Sequence, residues 1–150
     1  MPRLAVTLIP LLLAGLFFAA CDGGGDEPDA RVSIVDLELG QGPEAAENDT
    51  LRVAYEGRLQ GTSEIFDSSD RHGGFIDFVL GVGQVIDGWE RGLPGMRVGG
   101  TRVLTIPPEL AYGRRGAGCS TDTTCIVPPN STLIFQVRLL ALNPADPQVP

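Results

Sequence analysis

The segment that decides the fold of this chain is QVIDGWERGLPG, residues 84–95. Its large apolar residues are spaced so that they share one face of a helix: Val85, Ile86, Trp89 and Leu93. Pro94 and Gly95 end this periodicity, because proline cannot continue a helix and glycine favours its end. A helix predicted over 84–93 is too short to be stable alone, so its apolar face must be buried against other elements.

Segments of alternating apolar and polar residues lie on both sides of this helix, and such alternation predicts half-buried strands. The predicted strands are Val32–Leu39, Leu51–Leu59, Phe75–Leu80, Thr101–Ile106 and Ser131–Leu142. With 150 residues, 20 glycines and 12 prolines, the chain has the length and composition of one turn-rich domain. We therefore expect an α+β domain in which an antiparallel, five-stranded twisted sheet wraps around one short helix.

The first 20 residues have the layout of a secretory signal. Arg3 precedes an apolar run over residues 4–18, and residues 18–21, Phe-Ala-Ala-Cys, resemble a bacterial lipobox. We therefore predict a lipoprotein signal peptide over 1–20, with Cys21 lipidated at the mature N-terminus. The alternative is an uncleaved membrane anchor, because the apolar run is close to the shortest length that spans a bilayer.

The lipobox predicts where the protein is located, and the residues that follow it indicate the limits of the domain. Residues 21–31 are polar and glycine-rich, which is typical of a flexible tether. The folded domain is predicted over 32–142, and residues 143–150 form a proline-rich tail. A lipid on Cys21 would hold the chain at a membrane of the bacterial cell envelope, facing the periplasm or the cell exterior. We expect no membrane contact besides that lipid anchor.

Under this interpretation, one of the three cysteines carries a lipid and the other two form a pair. If Cys21 carries the lipid, Cys119 and Cys125 remain as a pair, and the five residues between them allow a disulfide to close. Disulfides persist outside the bacterial cytoplasm, so we predict this one. Two free thiols are the alternative if the signal segment is not a signal.

Composition argues against several classes of function. A net charge of −8 without any lysine gives no basic surface for nucleic acid. One histidine and three cysteines leave little for a structural zinc site, which usually takes four such ligands, and we expect neither a metal nor a cofactor. No base and nucleophile are spaced for covalent catalysis. The single histidine, His72, lies in a polar, glycine-rich stretch and is interpreted as a solvated loop residue.

Aromatic residues are spread over nearly every predicted element beyond the signal segment: Tyr55, Phe66, Phe75, Phe78, Trp89, Tyr112 and Phe135. This distribution indicates either an aromatic core or an aromatic pocket, and composition alone favours the core. Aromatic pockets suit proline ligands, because the preformed pyrrolidine ring loses little conformational entropy when it docks against flat side chains.

Eight short motifs follow one another along the chain: VAYEG (53–57), FDSS (66–69), FVLG (78–81), VIDGWERGL (85–93), MRVG (96–99), LAYG (110–113), IVPPN (126–130) and LIFQV (133–137). In this order they resemble the FKBP-type peptidyl-prolyl cis-trans isomerases, the immunophilin family that binds tacrolimus and rapamycin. The resemblance extends over about residues 32–142. It implies an enzyme that accelerates rotation about X-Pro peptide bonds, here in exported proteins whose folding it would assist.

The resemblance also implies roles for individual side chains. Trp89 is the expected floor under the substrate proline ring, and Asp67 and Tyr112 are the expected catalytic residues. The other expected substrate-binding residues are Tyr55, Phe66, Ile76, Val85, Ile86, Ile126, Val127 and Phe135. Three features depart from the family pattern, and the first is Asp87, which replaces the residue between Ile86 and Gly88 at the helix start. Ile76 stands where an aromatic residue is common, and the loop over 113–127 is longer than usual, without the histidine that many relatives have there.

The partners implied by the resemblance are proline-containing polypeptides, with macrolides of the tacrolimus and rapamycin type as inhibitors. We expect a monomer. Two other interpretations stay open from the sequence: a non-catalytic chaperone or docking lipoprotein that binds proline-containing segments, and a purely structural lipoprotein. Proline isomerisation that disappears on addition of tacrolimus would distinguish the enzyme from both.

Overall fold

The computed structural model describes residues 30–120 and 125–144. Its strands are β1 Ser33–Glu38, β2 Thr50–Leu59, β3 Ile65–Ser68, β4 Ile76–Val79, β5 Thr101–Ile106 and β6 Leu133–Leu142, and its helix is α1 Asp87–Gly92. Short 3-10 turns cover Ser69–His72, Pro108–Leu110 and Gly113–Arg115. The predicted signal peptide, Cys21, most of the predicted tether and the end of the tail lie outside the described residues. In the described part, no helix has the length and hydrophobicity to cross a membrane.

The strands form one antiparallel sheet in the order β1-β5-β6-β2-β3. The remaining strand, β4, pairs with the first half of β2, and β3 pairs with the second half of β2. Alternate residues of β2 and β6 point into the core, as their periodicity predicts. The predicted fold class, an antiparallel sheet with one short helix, is therefore confirmed.

The sheet contains one strand more than the five expected. Strand β3 was not predicted because it has only four residues, with a single apolar pair, Ile65 and Phe66, in a polar stretch. Its partner makes it a strand: β2 is ten residues long, and its second half offers free backbone groups beyond the end of β4. A tertiary pairing of this kind leaves little trace in the periodicity of a short segment.

Helix α1 begins later than the predicted start at residue 84. The backbone of Ile86 is extended, with φ −62° and ψ 151°, and the helix starts at Asp87. The preceding turn contains Gly83 at φ 75°, a left-handed conformation that glycine adopts without strain. Val85 and Ile86 therefore lie ahead of the helix, where their side chains are free to take a direction different from that of Trp89.

Two glycines let α1 lie directly on β5. A Cβ atom added at Gly88 would be 2.3 Å from Cγ2 of Ile106, and one added at Gly92 would be 2.7 Å from Cδ2 of Leu104. The spacing of four residues places both glycines on the same face of the helix. This close approach leaves the side chain of Trp89 only 3% exposed.

Arg102 of β5 fixes the end of the helix. Its Nη1 donates to the carbonyl oxygens of Gly92 at 2.8 Å and Pro94 at 3.2 Å. Its Nε donates to Oδ1 of Asp36 on β1 at 2.6 Å. A cation beside the terminal carbonyls of a helix is favourable, and the carboxylate of Asp36 compensates for burial of the guanidinium. One side chain thus connects α1, β5 and the edge strand β1.

We predict that Gly88→Ala lowers the free energy of unfolding by about 1–3 kcal/mol, because the new methyl group overlaps Ile106 and the helix must move away from the sheet. Denaturant titration measures the change. Arg91→Ala, at an exposed position of the same helix, is the matched control and should change stability little. A Gly88→Ala variant as stable as the wild type would contradict the proposed close packing.

Candidate functional site

A cavity of about 390 Å³ opens where the helix, the sheet and the segment before the helix meet. It is lined by Tyr55, Asp67, Ile76, Gln84, Val85, Ile86, Trp89, Tyr112 and Phe135. Its volume is typical of a small-ligand site, as is a mostly apolar lining with a few polar groups. Eight of these nine residues were singled out in the sequence, and the ninth is Gln84.

Trp89 is held at the bottom of this cavity by three aromatic rings. Its ring centroid lies 5.2 Å from that of Tyr55 and 5.3 Å from that of Phe135, both nearly perpendicular to it, and 5.7 Å from that of Phe78. Edge-to-face contacts of this kind stabilise aromatic clusters beyond simple burial. The indole Nε1 is buried and has no hydrogen-bond partner among the described residues. The floor of the cavity is thus also part of the hydrophobic core.

The turn before the helix is fixed by the residue that follows Trp89. The carboxylate of Glu90 accepts hydrogen bonds from the backbone N–H groups of Gly81 at 2.5 Å and Gly83 at 2.9 Å. Oε1 of Gln84 accepts a hydrogen bond from the N–H of Val79 at 2.8 Å. These bonds hold the backbone leading into Val85 and Ile86, the two apolar residues of this wall.

The opposite wall is polar and centres on Asp67 of β3. Oδ2 of Asp67 accepts a hydrogen bond from the hydroxyl of Tyr55 at 2.7 Å, and Oδ1 accepts one from the N–H of Ser68 at 2.9 Å. Nε2 of His72 lies 3.2 Å from the same Oδ1. Among the described residues that line the cavity, Asp67 is the only one with a charged side chain. The carboxylate is therefore held in a fixed orientation at the cavity wall.

Both tyrosines of the cavity remain protonated at neutral pH. Burial, and then the hydrogen bond to Asp67, raises the pKa of Tyr55 well above its usual value. Burial, and then the negative charge of Asp67, raises the pKa of Tyr112. The proton of Tyr55 is engaged by Asp67, whereas the hydroxyl of Tyr112 makes no hydrogen bond to any residue that the structure describes. Tyr112, which is 37% exposed, is therefore the phenol available to a ligand.

Three residues expected at the site lie outside the lining of the cavity. Phe66 is buried, and its ring packs edge-to-face on Phe135 with centroids 5.6 Å apart. Val127 is also buried, and Ile126 is 60% exposed. Gly57 makes the contact of the two phenylalanines possible, because a Cβ there would be 2.7 Å from Phe135 and 2.8 Å from Phe66. Phe66 thus supports a wall that Phe135 forms.

The long loop after Tyr112 is closed at its base and contains the predicted disulfide. Ala117 and Val127 form an isolated antiparallel bridge, with N–H···O distances of 2.9 and 3.0 Å. Within this bridge, Cys119 and Cys125 are joined by a disulfide, as predicted. Residues 121–124 of the loop lie outside the described residues. The backbone bridge and the disulfide therefore both tie the loop back on itself.

Two polar residues near the cavity were not identified as site residues from the sequence. Gln84 directly precedes Val85. The only sign in the sequence that it lies at the site was its position at the start of the segment 84–95. His72 was interpreted as solvated, and its side chain is half exposed. The short 3-10 turn after β3 also brings its ring to Asp67. No cluster of potential metal ligands occurs among residues 30–120 and 125–144.

Comparison with known proteins agrees with this architecture. Residues 42–140 match the family described as FKBP-type peptidyl-prolyl cis-trans isomerase. An FK506-binding protein of Streptomyces anulatus is 46% identical over 121 residues, which are 81% of this chain and 94% of the relative. The chloroplastic peptidyl-prolyl cis-trans isomerase FKBP13 of Arabidopsis thaliana is 42% identical over 115 residues, 73% of this chain. The match covers 54% of that relative, so the chain spans about half its length.

A solved structure shows the same fold. The crystal structure of AtFKBP13 superimposes with a TM-score of 0.68 at 41% sequence identity, and the match covers 73% of this chain and 91% of that one. Sequence motifs, topology and relatives agree over the same residues. The chain therefore belongs to the FKBP-type peptidyl-prolyl cis-trans isomerase family.

Proposed function

We propose that this chain accelerates the cis-trans rotation of X-Pro peptide bonds in exported proteins, by binding the twisted amide in the aromatic cavity. The observation that carries the proposal is the pairing of an oriented carboxylate, Asp67, with an available phenol, Tyr112, above a floor formed by Trp89. Both polar groups lie at the wall of a cavity whose other sides are mostly apolar.

The reaction requires no bond to be broken. Resonance holds the X-Pro amide planar with a rotation barrier of about 18–20 kcal/mol, and uncatalysed exchange takes tens to hundreds of seconds. An enzyme needs only to bind the twisted amide more tightly than either planar form. Lowering the barrier by about 7 kcal/mol accelerates rotation roughly 10⁵-fold.

The apolar part of the cavity favours the twisted state. As the amide twists, its nitrogen lone pair leaves conjugation and the charge separation of the planar amide falls. The twisted amide therefore loses less hydration than the planar form when it enters an apolar site. The rings around Trp89 present flat surfaces to the pyrrolidine, and the turn held by Glu90 keeps Val85 and Ile86 against its other side.

The polar wall supplies the electrostatic contribution. Tyr112, which keeps its proton, donates to the carbonyl oxygen of the substrate. The carboxylate of Asp67 faces the electron-poor carbonyl carbon as a fixed negative charge, already oriented by Tyr55 and the N–H of Ser68. Groups fixed before the reaction stabilise a transition state without the cost of reorganisation. Asp67 and Tyr112 are thus the proposed catalytic residues.

The proposed setting is a bacterial cell envelope, with the chain anchored through a lipid on Cys21 and active as a monomer. The support is the lipobox-like sequence before a polar tether. The disulfide of Cys119 and Cys125 suits such an oxidising compartment. The relatives named FK506-binding proteins support tacrolimus-type macrolides as inhibitors that occupy the same cavity.

We predict that the full chain accelerates isomerisation of a proline-containing test peptide and that tacrolimus removes this activity. Asp67→Ala and Tyr112→Phe should each lower kcat/KM by more than about tenfold, a loss above about 1.4 kcal/mol of transition-state stabilisation. Thermal melts of both variants should stay close to that of the wild type, because neither side chain belongs to the hydrophobic core.

Glu90→Gln provides the matched comparison, since it alters a carboxylate behind the cavity wall and leaves the groups facing the substrate in place. We expect it to reduce activity less than Asp67→Ala does. Wild-type turnover in both Asp67→Ala and Tyr112→Phe would show that the roles assigned here are wrong. A full chain without isomerase activity would favour a non-catalytic binding role instead.

We further predict that Cys21 is the acylated N-terminus. Mass spectrometry of protein extracted from bacterial membranes should find a diacyl- or triacylglyceryl group on Cys21 and none of residues 1–20. Cys21→Ser should remove the lipid and move the protein out of the detergent-extracted fraction. An intact Met1, or a free thiol at Cys21 in the wild-type protein, would refute the lipoprotein assignment.

The disulfide is predicted to shape the rim of the cavity more than it supports the fold. A ring this small restricts the unfolded chain by only about 2 kcal/mol, and the bridge of Ala117 with Val127 also closes the loop. Replacing both Cys119 and Cys125 by serine should therefore weaken proline-peptide binding while the domain stays folded. Fluorescence of Trp89, the single tryptophan, measures both properties. Unchanged peptide affinity would exclude a role for the disulfide at the rim.

A further inference from the structure

We propose that His72 is a positioning residue for the isomerase reaction: the charge on its imidazole sets the field of Asp67 in the cavity, so that activity falls as the pH is lowered through the range in which histidine gains a proton. The inference rests on the proposed function, because His72 acts only through the role assigned to Asp67. It concerns the one histidine of the chain.

The position of His72 is fixed by the backbone around it. The 3-10 turn Ser69–His72 follows β3 directly, and the N–H of Gly74 donates to the carbonyl of Ser69 at 2.9 Å. The hydroxyl oxygen of Ser69 is buried and accepts a hydrogen bond from the N–H of Tyr55 at 3.1 Å. The turn is therefore joined to β2 next to the cavity, and it places Nε2 of His72 3.2 Å from Oδ1 of Asp67.

The other groups around this pair do not change charge near neutral pH. Tyr55 and Tyr112 stay protonated, and the guanidinium of Arg71 stays charged and donates to the carbonyl oxygen of Phe66 at 2.6 Å. Asp70, two residues before His72, lines a different hollow together with Ala54, Glu56 and Arg138. Histidine is the side-chain type whose charge changes near neutral pH, and His72 is the one histidine among the described residues around Asp67.

Protonation of His72 changes the charge at Asp67 more than its orientation. Both carboxylate oxygens keep other donors, the hydroxyl of Tyr55 on Oδ2 and the N–H of Ser68 on Oδ1. A neutral imidazole leaves the carboxylate its full negative charge, whereas an imidazolium at 3.2 Å offsets part of it. The carbonyl carbon of the twisted amide then experiences a weaker field, so kcat/KM falls at acidic pH.

The size of this effect is limited by solvent. The side chain of His72 is 50% exposed and that of Asp67 is 37% exposed, so water and salt screen their interaction. Pairs of this exposure have small coupling, and we expect a change of roughly two- to fivefold in kcat/KM between about pH 5.5 and 8. Because the interaction is screened, high ionic strength should reduce the change further.

The test compares pH profiles of kcat/KM for the full chain and three variants. His72→Gln keeps a neutral side chain that can donate to Asp67, and His72→Arg keeps a positive charge at every pH tested. We expect the profile of His72→Gln to be flat and close to the wild-type level at high pH. That of His72→Arg should be flat and close to the wild-type level at low pH. Asp70→Asn, in the same turn but lining a different hollow, should keep the wild-type profile.

Each outcome decides the inference. A wild-type profile that rises with pH, and that both His72 variants abolish in the stated directions, supports it. A flat wild-type profile, or a His72→Gln profile that still follows the wild type, overturns it while the isomerase function stands. A protein that is inactive at every pH overturns the proposed function and this inference with it. Circular dichroism of each variant confirms that the comparison is made between folded proteins.

Discussion

Where Gly88 of the helix meets Ile106 of the sheet, there is no room for a single additional carbon atom. The short helix can pack on the sheet only because glycine at that position lets the helix backbone lie against β5. A helix of six residues has too few internal hydrogen bonds to be stable by itself, so contact with the sheet must stabilise it. The same contact presses Trp89 into the core, and the cavity floor follows from it.

From this floor the cavity divides into two parts with different origins. Its apolar part is a continuation of the core, since Tyr55 and Phe135 are buried on β2 and β6 and pack against Trp89. Its main polar groups are Asp67 of β3 and Tyr112 of the segment after β5, and both side chains are partly exposed. Substitutions in the first part change stability and binding together. Under the proposed function, substitutions in the second part, at Asp67 above all, would change catalysis at little cost in stability.

This division also explains what the sequence could predict. Segments with an alternating apolar pattern were evident from it, so five strands, the sheet and the central place of Trp89 were anticipated. The expected half-burial was wrong for β1, which is an edge strand exposed at every residue. The start of the helix was not anticipated, because the extended backbone at Ile86 depends on hydrogen bonds that Glu90 and Gln84 make across the turn. Strand β3 and the contact of His72 with Asp67 depend on pairing with a distant strand and on a local turn. Neither produces a periodic pattern, and the motif resemblance was what identified Asp67.

The shared use of Trp89 by core and cavity links ligand occupancy to the stability of the whole domain. A ring that is 3% exposed and contacts three others cannot be released by a local opening, so the site is lost only when the core itself unfolds. A ligand seated on this floor therefore binds the native state alone. By mass action, a free concentration of about one hundred times Kd raises the free energy of unfolding by about 2.7 kcal/mol. Occupancy of the cavity is thus readable as a shift of the melting temperature, without any label on the ligand.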